Sequence, residues 1–181
     1  MNSMNLIQDK FLELGFDSYD EIQADVDARI NKFEKNMKIH LPETYKYFLK
    51  NYGECNFQQD AVYKPIKSTP FQNKRGFMEI IFFYGCGSKN SIDVLVERYK
   101  GRIPNDYIVI AEAPGGNQIC MNVAAGTVGY GNIYLWDHEN ECDGCMDNIY
   151  LISESFDKFI DSFMVDETGS TTGAIGSRYD F

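Results

Sequence analysis

Apolar spacing changes period twice along this chain, and those changes restrict the folds open to it. Up to Gly53 the apolar residues recur at helical intervals. From Phe77 to Ile152 they come as short runs or alternations separated by turn residues, which is the spacing of strands. After Ser155 the helical interval returns. Helices, then consecutive strands joined by short turns, then a closing helix describe an α+β domain: N-terminal helices, a central mainly antiparallel sheet and a C-terminal helix.

Ile7, Phe11 and Leu14 share one helical stripe that stops at Gly15, so residues 1–17 are read as an N-terminal helix. A second helix is expected from Ser18 to Lys35, with Ile22, Val26, Ile30 and Phe33 on its apolar side. Pro42 suits the first turn of a third helix, where its missing N–H costs nothing. That helix buries Tyr45, Phe48, Leu49 and Tyr52 and ends at Gly53. The stretch from Cys55 to Gly76 reads as loop with at most one short strand. Phe77 to Tyr84 is a nearly continuous apolar run and reads as one buried strand. A short helix follows from Ser91 to Tyr99. Strands are expected at Tyr107 to Ala113, Gln118 to Ala124, Asn132 to Asp137 and Ile149 to Ile152. Ser155 caps a last helix whose face is Phe156, Phe159, Ile160 and Phe163. Residues 18–164 form the domain by this reading, and 165–181 form a flexible tail without a core pattern.

The chain has 181 residues, 44% hydrophobic and 14% aromatic, enough for a real core in one domain. No apolar run approaches ~20 residues, so no membrane-spanning helix is expected. The first residues do not read as a secretory signal. Five cysteines in a chain of this size read as reduced thiols, which points to a cytoplasmic protein. Lys and Arg number 17 against 27 Asp and Glu, a net charge of −10, and phosphate binding wants the opposite sign, so direct nucleic-acid binding is not expected. The charge is unevenly spread. From Ile103 to Asp157 there is no Lys or Arg, while Asp106, Glu112, Asp137, Glu139, Glu141, Asp143, Asp147, Glu154 and Asp157 all lie there. Such a segment is either a solvated acidic surface or a face that steers a basic partner.

Trp136-Asp137-His138-Glu139 and the following Cys142-Asp143-Gly144-Cys145 are the chemically richest stretch. One Cys-x-x-Cys beside a histidine suggests zinc, but a closed site needs four ligands, and Cys55, Cys86, Cys120 and His40 supply no second paired spacing. No metal or cofactor is expected. Neither a Gly-x-Ser-x-Gly elbow nor an HExxH pair nor a phosphate-binding glycine loop occurs, so the chain does not read as an enzyme. Trp136 alternates with Tyr134 and reads as core. Asp137, His138 and Glu139 read as a strand end that fixes the next loop through backbone hydrogen bonds, with the carboxylates also able to reach a partner.

Four blocks carry a family resemblance. Leu41-Pro42-Glu43-Thr44-Tyr45-Lys46-Tyr47-Phe48-Leu49, then Asn51-Tyr52-Gly53, resembles the Leu-Pro-x-x-Tyr-x-x-Phe-Leu helix of the SUKH superfamily, the Smi/Knr-type domains. Gly116-Asn117-Gln118-Ile119-Cys120 is similar to its Gly-Asp-x-Ile-Cys strand entry, with Asn117 where Asp is usual. The segment from Gly131 to Glu139 resembles its Gly-x-Val-Tyr-x-Trp-Asp-His-Glu strand, and Ser155 to Ile160 its closing helix. The resemblance implies an α+β scaffold without an established catalytic centre. Its bacterial members are mostly immunity proteins that bind and block toxins, often nucleases; its fungal members are regulatory scaffolds of cell-wall synthesis and signalling. It therefore implies a cognate protein toxin, basic in character, as partner. Leu41, Pro42, Tyr45, Phe48, Gly116, Trp136 and His138 are then structural motif residues, and Asp137, Glu139, Glu141, Asp143 and Asp147 the candidate partner contacts.

Overall fold

A computed structural model describes residues 2–19, 25–87, 90–140 and 147–167. Helix α1 spans Ser3–Leu14, and the Asn2 side chain accepts a hydrogen bond from the Met4 N–H at 3.2 Å. It buries Ile7, Phe11 and Leu14 and stops at Gly15. That residue has φ +64°, a conformation that L side chains rarely adopt, so glycine is favoured there; a Cβ would also displace the end of the exposed Gln58 side chain. The chain then enters a strand, not a helix: β1 (Phe16–Ser18) pairs antiparallel with β2 (Cys55–Phe57). Helix α2 begins later than expected and runs Val26–Met37; Ile22 of the expected stripe lies outside the described residues. Lys38 ends it in the left-handed conformation. Helix α3 (Glu43–Asn51) has Pro42 at its cap, one place ahead of the expected first turn, and the Pro42 carbonyl accepts from both Tyr45 and Lys46 N–H at 3.0 Å. Leu41, Tyr45, Phe48, Leu49 and Tyr52 are buried.

Two strands, not one, occupy the expected loop after Gly53: β2 and β3 (Ala61–Tyr63). The apolar run from Phe77 to Tyr84 is likewise not a single strand. It breaks into β4 (Met78–Glu79), paired with β3, and β5 (Phe82–Phe83), paired with β2 and a later strand, β6. Between them Ile81 is 45% exposed while its N–H donates to the Glu112 carbonyl at 2.8 Å. The chain changes sheets inside the run, and apolar content alone does not mark where.

Helix α4 (Ile92–Arg98) leads into four consecutive antiparallel strands: β6 (Tyr107–Glu112), β7 (Gln118–Asn122), β8 (Ile133–Trp136) and β9 (Ile149–Ser153). Helix α5 (Phe156–Asp161) starts at Ser155, whose hydroxyl accepts from the Lys158 N–H. Phe163, expected on that helix, sits instead in β10 (Phe163–Val165), paired with β3. Asp166 N–H donates to the Asp60 carbonyl at 2.7 Å and its carboxylate takes Arg75 at 2.6 Å, so ordered chain runs past residue 164; residues 168–181 of the expected tail lie outside the described residues. The main sheet is ordered β1-β2-β5-β6-β7-β8-β9, and a small sheet is ordered β10-β3-β4. The fold is α+β. Among the described residues no helix is long and apolar enough to cross a membrane.

Cross-strand register defines the two faces of the main sheet. One row runs Phe83, Ala111, Ile119, Leu135, Tyr150; the next runs Phe82, Glu112, Gln118, Trp136, Ile149. The first row faces the aromatic core. There Phe83 meets Phe48 at 5.2 Å, Phe57 at 5.7 Å, Phe163 at 6.1 Å, Phe11 at 6.2 Å, Phe159 at 6.4 Å and Phe156 at 6.5 Å. The second row is covered around Trp136 by Tyr99 and Arg102. Strand β7, buried along its whole length, therefore lacks the wet face that its alternating sequence suggests. Phe83→Ala should lower unfolding free energy by about 3–5 kcal/mol in urea titration, because it empties the point where six rings converge. Leu12→Ala on the 73%-exposed side of α1 should change it by less than about 0.5 kcal/mol.

Candidate functional site

At one end of the meander the β6–β7 turn meets the loop that leaves β8. Pro114–Gly116 forms a short 3-10 turn, and Gly116 has φ +86°. A Cβ on Gly116 would lie 3.1 Å from His138 Cε1 and 3.3 Å from Nε2, so the imidazole packs on a bare α-carbon. Asn117, only 5% exposed, ties the two segments together. Its Oδ1 accepts from the His138 backbone N–H at 3.2 Å and stands 3.1 Å from His138 Nδ1. A backbone N–H can only donate, which fixes the orientation of the amide, so in this contact Nδ1 is the donor.

Asp137 closes the other half of this clasp. It is 2% exposed, with Oδ1 accepting from the Glu139 N–H at 3.0 Å and Oδ2 from Asn140 Nδ2 at 2.6 Å. The buried Asn148 donates through Nδ2 to the Asp137 carbonyl at 2.8 Å, and its own carbonyl accepts from the Asp137 N–H. The Asp137 carboxylate is thus consumed inside the loop and is not a surface charge, which corrects its assignment as a partner contact. Glu139 and Asp147 stand exposed beside the clasp, with no ion-pair partner among the described residues. Glu141, Asp143, Cys142 and Cys145 lie outside those residues.

The other acids of the base-free segment scatter. Glu112 is half-buried, its carboxyl held above the ordinary range by burial, and takes a hydrogen bond from Tyr84 at 3.3 Å. Glu154 pairs with Lys158, Asp157 accepts from Ser3 Oγ, and Asp106 lies exposed at the opposite end of β6. Among the described acids of the segment, only Glu139 and Asp147 combine exposure, lack of an ion-pair partner and a place at this end of the sheet.

Trp136 is fully buried. The Arg102 guanidinium lies 5.3 Å from its ring and 5.4 Å from Tyr99, and the two rings meet edge to face at 5.6 Å. The Leu41–Pro42 motif belongs to the far end of the sheet, where Tyr130 donates to the His40 carbonyl at 2.8 Å and Gly131 lies near the Pro42 ring. The structure therefore brings together Gly116, Trp136, Asp137, His138 and Glu139, and separates them from Leu41, Pro42, Tyr45 and Phe48. The partners Asn140, Asn148 and Arg102 gave no signal in the sequence, because each acts through a contact made only in the fold. Among the described residues no group of three His, Cys, Asp or Glu gathers as metal ligands. Cys55, Cys86 and Cys120 are free thiols; burial pushes Cys86 up to about 11 and the other two higher.

Residues 27–162, from α2 through α5, match the model of the SMI1/KNR4 family (SUKH-1). The chain belongs to that family. An SMI1/KNR4 assignment accounts for the order of the four motifs and leaves α1 ahead of the matched region. The chain is also similar to the SPbeta prophage-derived uncharacterized protein YokK of Bacillus subtilis strain 168, with 31% identity over 176 residues, covering 91% of this chain and 88% of that protein. In this SMI1/KNR4 chain the Trp-Asp-His-Glu motif has a physical division of labour: Trp136 and Asp137 face inward, His138 bridges, and Glu139 faces out.

Gly116→Ala should cost about 1–3 kcal/mol, from left-handed strain and from the His138 ring beneath it. His138→Ala in the same chain should return part of that loss. A double-mutant cycle by thermal unfolding checks this, and strictly additive costs would show that the ring contact carries nothing.

Proposed function

We propose that this SMI1/KNR4 protein is a cytoplasmic, non-catalytic immunity protein that neutralises a cognate basic toxin by direct contact. The observation that carries the reading is the pair of exposed acids, Glu139 and Asp147, at the rim of a buried hydrogen-bonded clasp. The side chains of Glu139 and Asp147 take no part in the hydrogen bonds that join Asp137, Asn140 and Asn148. Glu141 and Asp143 fall between them in sequence and add the same sign. Charges of one sign on a pre-formed support repel one another, and a cationic surface relieves that repulsion on binding. A toxin that grips phosphate backbones carries such a surface. Membership of a family of binding scaffolds supports occlusion over turnover.

Rim charges act chiefly on association, and salt screens them over a Debye length of about 8 Å. Replacing Glu139 and Glu141 by Gln and Asp143 and Asp147 by Asn should slow association with the toxin encoded beside this gene and flatten its salt dependence, with the melting temperature unchanged. Stopped-flow mixing at two salt concentrations measures both. Equal rates and equal salt slopes for variant and parent would reduce the loop to a solubilising surface.

A further inference from the structure

A cavity of about 230 Å³ opens beside the clasp, on the aromatic-core side of the sheet. Phe71, Phe77, Met78, Ala113 and Leu135 make its apolar wall, and Asn117 stands among its polar residues with Gln72, Asn73 and Glu79. The walls come from separate parts of the chain: the segment before β4, the end of β6 and the middle of β8. Met78 and Ala113 are buried, whereas Phe71 is 38% exposed at the mouth.

Asn117 is the decisive group. It is 95% buried by its 5% exposure, and its Oδ1 is committed to His138. Among the described residues no acceptor takes the protons of its Nδ2, and the atom is not one of the buried polar atoms left without a partner, so it keeps contact with solvent where the residue lines the cavity. A donor that only solvent satisfies at a cavity wall is available to an acceptor that a ligand brings. The volume limits what that can be. Cofactors and small-molecule ligands usually need about 300–1,000 Å³, while a dry apolar cavity of about 150 Å³ already takes a benzene ring. The space therefore suits one aromatic side chain, with a backbone carbonyl beside it for Asn117.

We propose that this cavity is the anchor pocket of the partner interface, taking a single Phe-like side chain of the partner while Asn117 Nδ2 donates to a main-chain carbonyl next to that residue. The proposal rests on the partner-binding reading above and names where the partner's weight is carried. Glu79 is exposed on the cavity lining, so an aromatic residue flanked by Lys or Arg meets both an apolar wall and an acidic neighbour. Interfaces divide in this way: buried aromatic anchors set dissociation, and rim charges set association.

The probe is N-acetyl-phenylalaninamide, titrated into the ¹⁵N-labelled full chain and followed by the Asn117 side-chain NH₂ resonances. A saturable shift there and at Ala113 is expected, with none from N-acetylglycinamide, which lacks the ring. Ala113→Met fills the cavity and should abolish the shift. Phe71→Ala, a change at the exposed rim that leaves the core intact, should weaken binding at least threefold, and it serves if Ala113→Met fails to fold. No saturable shift at Asn117, or equal shifts in parent and Phe71→Ala, would overturn the pocket. The titration uses no toxin. A negative result thus removes the anchor and leaves the acidic-loop reading to its own test, whereas failure of toxin binding leaves a positive titration standing.

Discussion

The contact of Phe83 with six other rings is the constraint on which the rest of the molecule depends. Phe83 sits on a strand of two residues, too short to be held by its own ladder. Its position comes from packing. Phe11 brings α1, Phe48 brings α3, Phe57 brings β2, Phe156 and Phe159 bring α5, and Phe163 brings β10. Aromatic pairs of this kind add about 0.5–1.5 kcal/mol each beyond the area they bury. The cluster joins the small sheet to the large one, and so holds the segment before β4 against the end of β6, where the cavity forms.

The opposite face of the sheet follows a different rule. Around Trp136 the cover includes Tyr99, edge to face with the indole, and the Arg102 guanidinium near both rings. The clasp lies where the two regimes meet. Asn117 bonds across to the loop that leaves β8, and Asp137 bonds within that loop and to Asn148, so two turns end in a fixed relation without a metal cluster or a disulfide among the described residues.

The architecture was largely legible because amphipathic period survives in the sequence wherever one face is wet. Ile7, Phe11 and Leu14 announce α1, and Tyr45, Phe48 and Leu49 announce α3. The reading failed where burial removes the period. Phe77 to Tyr84 is apolar throughout, so nothing in it distinguishes one strand from two in different sheets. Phe163 continues the α5 spacing yet belongs to β10, because core aromatics satisfy either geometry. At the site, Trp-Asp-His-Glu was legible as a unit, but its orientation was not. Charge looks the same in a buried Asp137 and an exposed Glu139 until the Glu139 N–H and Asn140, contacts made only in the fold, claim the former. The described acids of the base-free segment likewise do not make one face. Pairing of Glu154 with Lys158 and burial of Glu112 reduce that field to a local one.

Asn117 has a two-sided consequence that follows from linkage. One end of its amide holds His138, and through it the start of the loop that carries Glu139; the residue itself forms part of the cavity wall. An amide is rigid and planar, so its two ends cannot be positioned independently. Any free energy that orders the side chain from the cavity side is available to the loop, and any that orders the loop is returned to the cavity in equal measure. A single asparagine thereby makes an apolar hole and a charged rim parts of one thermodynamic unit.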